Sequence, residues 1–75
     1  MITDYVSPKD IVADICTREG VTIRSLRGER SDAHIVRVRK EIALALRNRG
    51  CRLTEIAVHL NRHHTTVMHY LKGTH

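Results

Sequence analysis

The chemistry that this sequence offers is concentrated in one short run near its carboxyl end. Residues 62–69 are Arg-His-His-Thr-Thr-Val-Met-His. Threonine hydroxyls and imidazoles can exchange hydrogen bonds with base edges, the threonine methyl can contact thymine, and arginine can bind phosphate or guanine. Such side chains at the start of a helix are typical of the recognition helix of a DNA-binding protein.

The segment just upstream supplies the rest of a helix-turn-helix. Residues 55–61 have helical apolar spacing and end in Asn61, a residue type that tolerates the left-handed conformation of a tight turn. The order of helix, tight turn and polar-tipped helix predicts a helix-turn-helix at about residues 53–73. The outward face of its second helix is then formed by residues that are not expected to pack in the core: Thr65, Thr66, His69 and Lys72.

Glycines and capping residues divide the rest of the chain into helices. Ser7 is expected to cap a helix over about residues 8–19, Thr22 to cap a short helix that follows, and Ser31-Asp32 to open the longest helix. No segment has the alternation of a β-strand, so we expect an all-α fold, a compact bundle of about five helices containing a helix-turn-helix. Helix ends are expected at the four glycines: Gly20, Gly28, Gly50 and Gly73.

Size and composition favour binding over catalysis. The 75 residues are expected to form one domain over residues 1–75, and a chain this short buries only about 60% of its unfolded surface, which leaves little for a deep catalytic cleft. No nucleophile, base and orienting acid are grouped, and no glycine-rich phosphate loop occurs. We therefore expect a protein that is not an enzyme and needs no cofactor.

Positive charge is concentrated in the middle of the chain. The whole sequence carries +5, whereas residues 24–62 hold ten basic against four acidic side chains, a net of +6. Nine of those ten are arginine, which suits phosphates and guanine edges. The pattern favours a nucleic-acid partner, although an ordinary solvated surface could carry the same charges. Because the chain has no Trp and no Phe, stacking platforms for single strands are not expected.

The histidine-rich run has two other interpretations. Thr65 and Thr66 could simply cap the helix while His64 fills the turn. The histidines between residues 59 and 69 could also bind a metal together with Cys51, but their spacing fits neither a His-x-x-x-His pair on one helix face nor a Cys-x-x-Cys clip. We expect no metal site.

Cysteine usage and hydropathy indicate the compartment. Cys16 and Cys51 are far apart in sequence, which predicts free thiols in a reducing environment. No apolar run approaches the roughly 18 residues of a membrane span, and the N-terminus lacks the order of a signal peptide. We expect a cytoplasmic, nucleoid-associated protein without membrane contact.

Two segments resemble the C-terminal DNA-binding domain of the bacterial replication initiator DnaA, which ends in a helix-turn-helix of the Trp-repressor type. Residues 62–69 are similar to the family's Arg-Asp-His-Thr-Thr-Val-x-His. Residues 40–46, Lys-Glu-Ile-Ala-Leu-Ala-Leu, are similar to the family's run of a basic residue, Gln and apolar residues in the long helix. The resemblance covers nearly the whole chain.

The resemblance implies a site for double-stranded DNA. In that family the basic residue that opens the long-helix run enters the minor groove, which implies a minor-groove or phosphate contact for Lys40. The Arg-Asp-His-Thr-Thr group of the family contacts the major groove and neighbouring phosphates. This implies major-groove contacts for four residues of the motif: Arg62, His64, Thr65 and Thr66.

Four further residues complete the expected interface. Charge and helical position add Arg37 and Arg39, near Lys40, as phosphate contacts. His69 belongs to the outward face of the last helix. His63 stands where the family has Asp, so this chain lacks an acceptor for a base amino group and has a different hydrogen-bonding code.

The leading hypothesis is sequence-specific binding of double-stranded DNA by a transcription regulator or replication-control protein of a bacterium or phage. The ATPase that precedes this domain in an initiator is not part of the sequence, so no nucleotide cofactor is expected, and a larger protein or a partner would supply any effector function. The alternative is a protein-docking module that keeps the helix-turn-helix. The net +6 of the middle segment favours DNA, because a docking surface is poorer in charge at its centre.

Overall fold

Five α-helices follow one another in the computed structural model, which describes residues 7–72. Within that range there is no strand, so the all-α prediction is confirmed. None of these five helices has the length and apolar character needed to cross a membrane. Gly73, predicted to end the last helix, lies outside the described residues. The helices are α1 (Pro8–Glu19), α2 (Ile23–Arg27), α3 (Ala33–Arg49), α4 (Leu53–Leu60) and α5 (His64–Lys72).

Side-chain caps fix where the first three helices begin. Ser7, Thr22 and Asp32 each accept a hydrogen bond from the amide three residues later and so satisfy a donor that the helix leaves free. The first two caps were predicted, and of the predicted pair Ser31-Asp32 it is Asp32 that caps the longest helix. Burial raises the pKa of the Asp32 carboxyl, but the hydrogen bond from the Ile35 amide and the positive charge of Arg30 outweigh it and lower the pKa below its ordinary value. The cap of the longest helix is therefore a carboxylate.

Three of the helices end in a left-handed residue. Gly20 closes α1 with φ of 71°, Gly50 closes α3 with φ of 103°, and Asn61 closes α4 with φ of 53°. Glycine adopts this conformation without steric cost, and Asn is among the few other residues that tolerate it. Gly28 ends α2 as predicted, but in an extended conformation with φ of −83°.

The long helix α3 is the centre of the bundle, because it packs against each of the other four helices. Its apolar spacing of three and four residues predicts a buried stripe of Ile35, Val38, Ile42, Ala45 and Leu46; four of these are buried, Ala45 is half-buried, and Ala43 is buried as well. The helix-turn-helix completes the core from α4 and α5, which pack against each other. Leu53 and Leu71, both predicted to face the core, are half-buried against it. The fully buried apolar side chains of α3, α4 and α5 include Val38, Ile42, Leu46, Ile56, Leu60 and Val67.

Both cysteines are buried free thiols. Burial raises the pKa of Cys16, and burial together with the negative charge of Glu55 raises the pKa of Cys51. Because the thiolate is the nucleophile and the metal ligand, both side chains serve as small core residues.

Candidate nucleic-acid interface

The turn between α4 and α5 is held by backbone hydrogen bonds at the end of α4. The Asn61 amide donates to the Val58 carbonyl at 3.2 Å, and the Arg62 amide donates to the Ala57 carbonyl at 3.0 Å. The side chain of Asn61 also forms a hydrogen bond outside the turn, since its Nδ2 donates to the Arg27 carbonyl at 3.0 Å. The turn is thereby tied to the end of α2 as well as to α4.

His63 caps the N-terminus of α5. Its carbonyl accepts hydrogen bonds from the amides of Thr66 at 3.0 Å and Val67 at 3.3 Å. Its Nδ1 accepts from the Thr65 amide at 3.2 Å and lies 2.9 Å from the Thr65 hydroxyl. The sequence placed residues 62–69 in the opening turn of the helix, whereas the structure begins the helix at His64 and uses His63 as its cap.

The face of α5 that points away from the core carries polar, basic and flexible side chains. Thr66 is half-buried, whereas His64, Thr65 and His69 are exposed. Met68 adds an apolar group that is 49% exposed. This face borders a shallow groove of about 490 Å³, lined by Arg47, Leu53, Thr65, Met68, His69, Leu71 and Lys72.

Arg47 is a candidate interface residue that the sequence-based reasoning left out. It projects from α3 into the groove that borders α5, and its Nη1 donates to the Cys51 carbonyl at 3.3 Å. Lys40 lies seven residues before it, which is close to two helical turns, so both lie on one flank of α3. Helical spacing from Lys40 alone could have pointed to Arg47.

Arg37 lies about one turn before Lys40 on α3, and its contacts run towards α1. Its Nη2 lies 3.2 Å from His34 Nδ1, and His34 Nε2 lies 3.1 Å from the Glu19 carbonyl at the end of α1. The side chain is exposed, but it does not line the groove beside α5. A phosphate contact for Arg37 would therefore lie outside that groove.

Arg39 was predicted to bind phosphate, and that prediction is wrong for this structure. The side chain is only 1% exposed, because position 39 lies on the same face of α3 as the core residues Ile35 and Ile42. Its Nε donates to the Leu26 carbonyl at 2.8 Å, and its Nη2 donates to the Gly28 carbonyl at 3.1 Å. Charge and proximity to Lys40 gave no sign of this inward direction.

The surroundings of Arg39 explain how a cation is tolerated in the core. Burial lowers the pKa of its guanidinium, and the positive charge of Arg62 lowers it further, whereas Tyr70 and Asp32 oppose the change. Backbone carbonyls accept its hydrogen bonds, and across the described residues every buried side-chain nitrogen and oxygen has a partner. The buried charge is thus compensated by hydrogen bonds.

Arg62 is half-buried and shares an acceptor with Arg39. Its Nη2 donates to the Gly28 carbonyl, and its Nη1 donates to the Asn61 carbonyl at 2.9 Å. Both terminal nitrogens therefore hold the turn in place, which is a positioning role that the motif alone did not indicate.

The histidines of the motif do not form a metal centre in the described part of the chain. Nowhere in residues 7–72 do three His, Cys, Asp or Glu side chains come together in a way that could hold a metal ion. The rings of His63 and His64 lie against each other instead, with centroids 4.3 Å apart and planes inclined by 32°.

Comparison with known proteins bears on the whole of this arrangement. Neither the curated proteins nor the solved structures gave a match. The family model described as the bacterial DnaA protein helix-turn-helix matches residues 8–73, a range that contains all five helices and every residue of the candidate interface. The helix-turn-helix of that family is a DNA-binding domain. This chain belongs to the bacterial DnaA helix-turn-helix family.

Proposed function

We propose that the protein binds double-stranded DNA in a sequence-specific manner, with α5 in the major groove and the Lys40–Arg47 flank of α3 along the backbone or the adjacent minor groove. Family membership supports DNA binding itself. The groove assignment rests on the geometry of the two helices, because helix-turn-helix domains place the N-terminal residues of their second helix against base edges.

The observation that carries this proposal is the composition of the exposed face of α5. His64, Thr65 and His69 offer hydrogen-bonding groups, Lys72 offers a positive charge, and no carboxylate belongs to α5. Arg47 stands beside this face across the groove. A surface that combines base-edge donors and acceptors with flanking cations can contact both bases and phosphates.

Phosphate contacts would fix the protein on the duplex. Lys40 is half-buried, while Arg47 is exposed. Two cations on one flank of α3 would each displace counterions from the backbone, which strengthens binding to any sequence. The side chains of α5 would then supply the sequence preference.

The biological role that fits this proposal is replication control or transcription regulation in a bacterium or phage. Both roles need a protein that finds a defined DNA site, and a larger protein or a partner would supply the effector step. The domain expected over residues 1–75 would be the DNA-reading component in either case.

Selection from a random duplex DNA library at near-physiological salt tests the proposal directly. We expect a motif of about six to ten base pairs, and His64→Ala should weaken the preference at one position by about 1–3 kcal/mol. His59→Ala is the matched control, because His59 lines a different groove, away from α5. Binding without any enriched sequence would mean that the protein contacts only the backbone.

A docking function would use a different surface. Ile23 and Val58 are 44% and 68% exposed, and both line an apolar groove of about 380 Å³ between α1, α2 and α4. Exposed apolar residues in one place are a feature of protein-binding sites. If the protein bound no duplex DNA at all, this groove would become the first candidate for its function.

A further inference from the structure

The geometry points to His63 as the residue that sets one position of the target sequence. We infer that its Nε2–H donates a hydrogen bond to the keto oxygen of a guanine or thymine in the major groove. This inference rests on the proposed function, since it assigns a chemical preference to one residue of the proposed DNA surface.

The hydrogen bonds around His63 decide which ring nitrogen carries the proton. Its Nδ1 lies 3.2 Å from the backbone nitrogen of Thr65 and accepts its hydrogen bond. A backbone N–H can only donate, so Nδ1 must be the acceptor and the proton of the neutral ring must be on Nε2. The Thr65 hydroxyl, 2.9 Å from the same Nδ1, is then also a donor to it.

The ring is held through Nδ1, which leaves Nε2 available for another partner. Nδ1 is fixed against the first turn of α5, and Nε2 lies across the ring from it. The neighbouring ring of His64 packs against the imidazole, with 4.3 Å between the centroids. The residue is exposed, and among residues 7–72 no group forms a hydrogen bond with His63 Nε2. A single directed donor is therefore presented at the N-terminus of the recognition helix.

Whether the side chain donates or accepts this hydrogen bond determines which bases it favours. In the major groove, guanine O6 and thymine O4 are acceptors, whereas the amino groups of adenine and cytosine are donors. A donor at His63 favours a keto base, and an acceptor at the same place would favour an amino base. Because N-terminal residues of a recognition helix contact base edges, we assign the donor to a base and not to a phosphate.

Two substitutions separate the outward donor of His63 from its capping role. Asp and Ser are both favourable N-cap residues, so either can replace the Nδ1 acceptor and keep the start of α5. His63→Asp presents an acceptor in place of the donor. His63→Ser presents a hydroxyl on a side chain too short to reach a base. His59→Asp makes the same change of charge at a histidine outside the α5 surface.

The experiment is selection from a random duplex library with the whole chain and each of these variants, after circular dichroism has shown equal helix content and similar Tm. We expect the wild-type motif to contain one position of guanine or thymine that His63→Asp changes to adenine or cytosine. His63→Ser should lose the preference at that position by roughly 2- to 10-fold, the value of one hydrogen bond, and His59→Asp should keep the wild-type motif.

Other outcomes identify which idea fails. If His63→Asp and His63→Ser select the wild-type motif unchanged, the inference about His63 is overturned while sequence-specific binding stands. A motif that stays unchanged while affinity falls equally for every sequence would place Nε2 on a phosphate, which also overturns the inference. If the wild-type protein itself enriches no sequence, the proposed function fails first.

Discussion

The guanidinium of Arg39 joins α3 to the carbonyl groups at the end of α2. It contacts the carbonyls of Leu26 and Gly28 from within the core, where it is almost completely shielded from solvent. Arg62 reaches the Gly28 carbonyl from the other side, out of the helix-turn-helix turn. One carbonyl thus links the long helix, the second helix and the turn that starts α5. A buried cation in this place helps to position α5.

We expect Arg39→Met to destabilise the fold without removing a DNA contact. Met retains an unbranched apolar chain but removes the donor to the Leu26 carbonyl and leaves the Gly28 carbonyl with Arg62 alone, so the free energy of unfolding should fall by about 1–3 kcal/mol. Denaturation with urea measures this value. The exposed Arg37→Met is the control, and its unfolding free energy should stay within about 0.5 kcal/mol of the wild-type value.

Salt titration separates the buried role of Arg39 from a phosphate contact. Where Arg39→Met is fully folded, the slope of log affinity against log salt should equal that of the wild type, because the core guanidinium releases no counterion. A slope reduced by about one, together with unchanged stability, would show that the side chain leaves the core to bind DNA.

Arg39 also shows why the direction of a single side chain is hard to predict from the sequence. A charged side chain is buried in only a small share of cases, so charge and position near Lys40 favour the surface for any arginine. Position 39 lies at the same time on the apolar stripe, one turn after Ile35, and the carbonyls that accept its hydrogen bonds come from α2. Only the tertiary arrangement of those carbonyls decides whether the Arg39 side chain points to the surface or into the core.

At the scale of elements, the conformation of the turn sets where α5 begins. Asn61 adopts φ of 53° and ψ of 47°, and its side chain donates to the Arg27 carbonyl at 3.0 Å. The left-handed backbone reverses the chain within three residues, since α4 ends at Leu60 and α5 starts at His64. The position of His63 and Thr65 therefore depends on one backbone conformation.

Substitution of Asn61 should distinguish the backbone conformation from the side-chain hydrogen bond. Asn61→Ala loses the hydrogen bond and keeps a Cβ in the left-handed region without the polar side chain that makes Asn tolerant of it, whereas Asn61→Gly loses the hydrogen bond but adopts this φ without steric cost. We expect the alanine variant to be less stable than the glycine variant by about 1 kcal/mol. Thermal or urea unfolding of both provides the measurement, and equal stability would mean that strain at this residue is unimportant.

The elements themselves were largely predictable because their ends carry local chemical signals. Caps at Ser7, Thr22 and Asp32 and the left-handed residue Asn61 act within three or four positions of the chain, so sequence alone is sufficient to find them. The start of α5 was harder to predict from the sequence. His63 is an uncommon cap, and its hydrogen bond with Thr65 depends on the ring's orientation, which no sequence pattern specifies.

At the scale of the molecule, the bundle brings the flank of α3 next to the exposed face of α5. Because α3 packs against each of the other four helices described, its position decides which of its cations lie near α5. Arg47 is close to it, Arg37 is directed towards α1, and Arg39 is buried. Net charge along the sequence predicted a basic surface, but the choice among these arginines depends on helix packing, which involves residues far apart in the chain.

This packing predicts that Arg47 and Lys40 each contribute one phosphate contact. Arg47→Ala and Lys40→Ala should each lower the slope of log affinity against log salt by about 0.9, and the double variant should lower it by about twice that amount. Fluorescence anisotropy with the selected duplex at several salt concentrations measures the slopes.

Lys9→Ala removes the same charge from a residue of the groove between α1, α2 and α4, and its slope should equal that of the wild type. If Lys9→Ala lowered the slope as much as the other two, the DNA would not be confined to the side of α3 and α5, and overall positive charge would account for the binding. A normal slope for Arg47→Ala with a reduced one for Lys40→Ala would instead show that Arg47, the cation of α3 that lines the groove beside α5, makes no backbone contact.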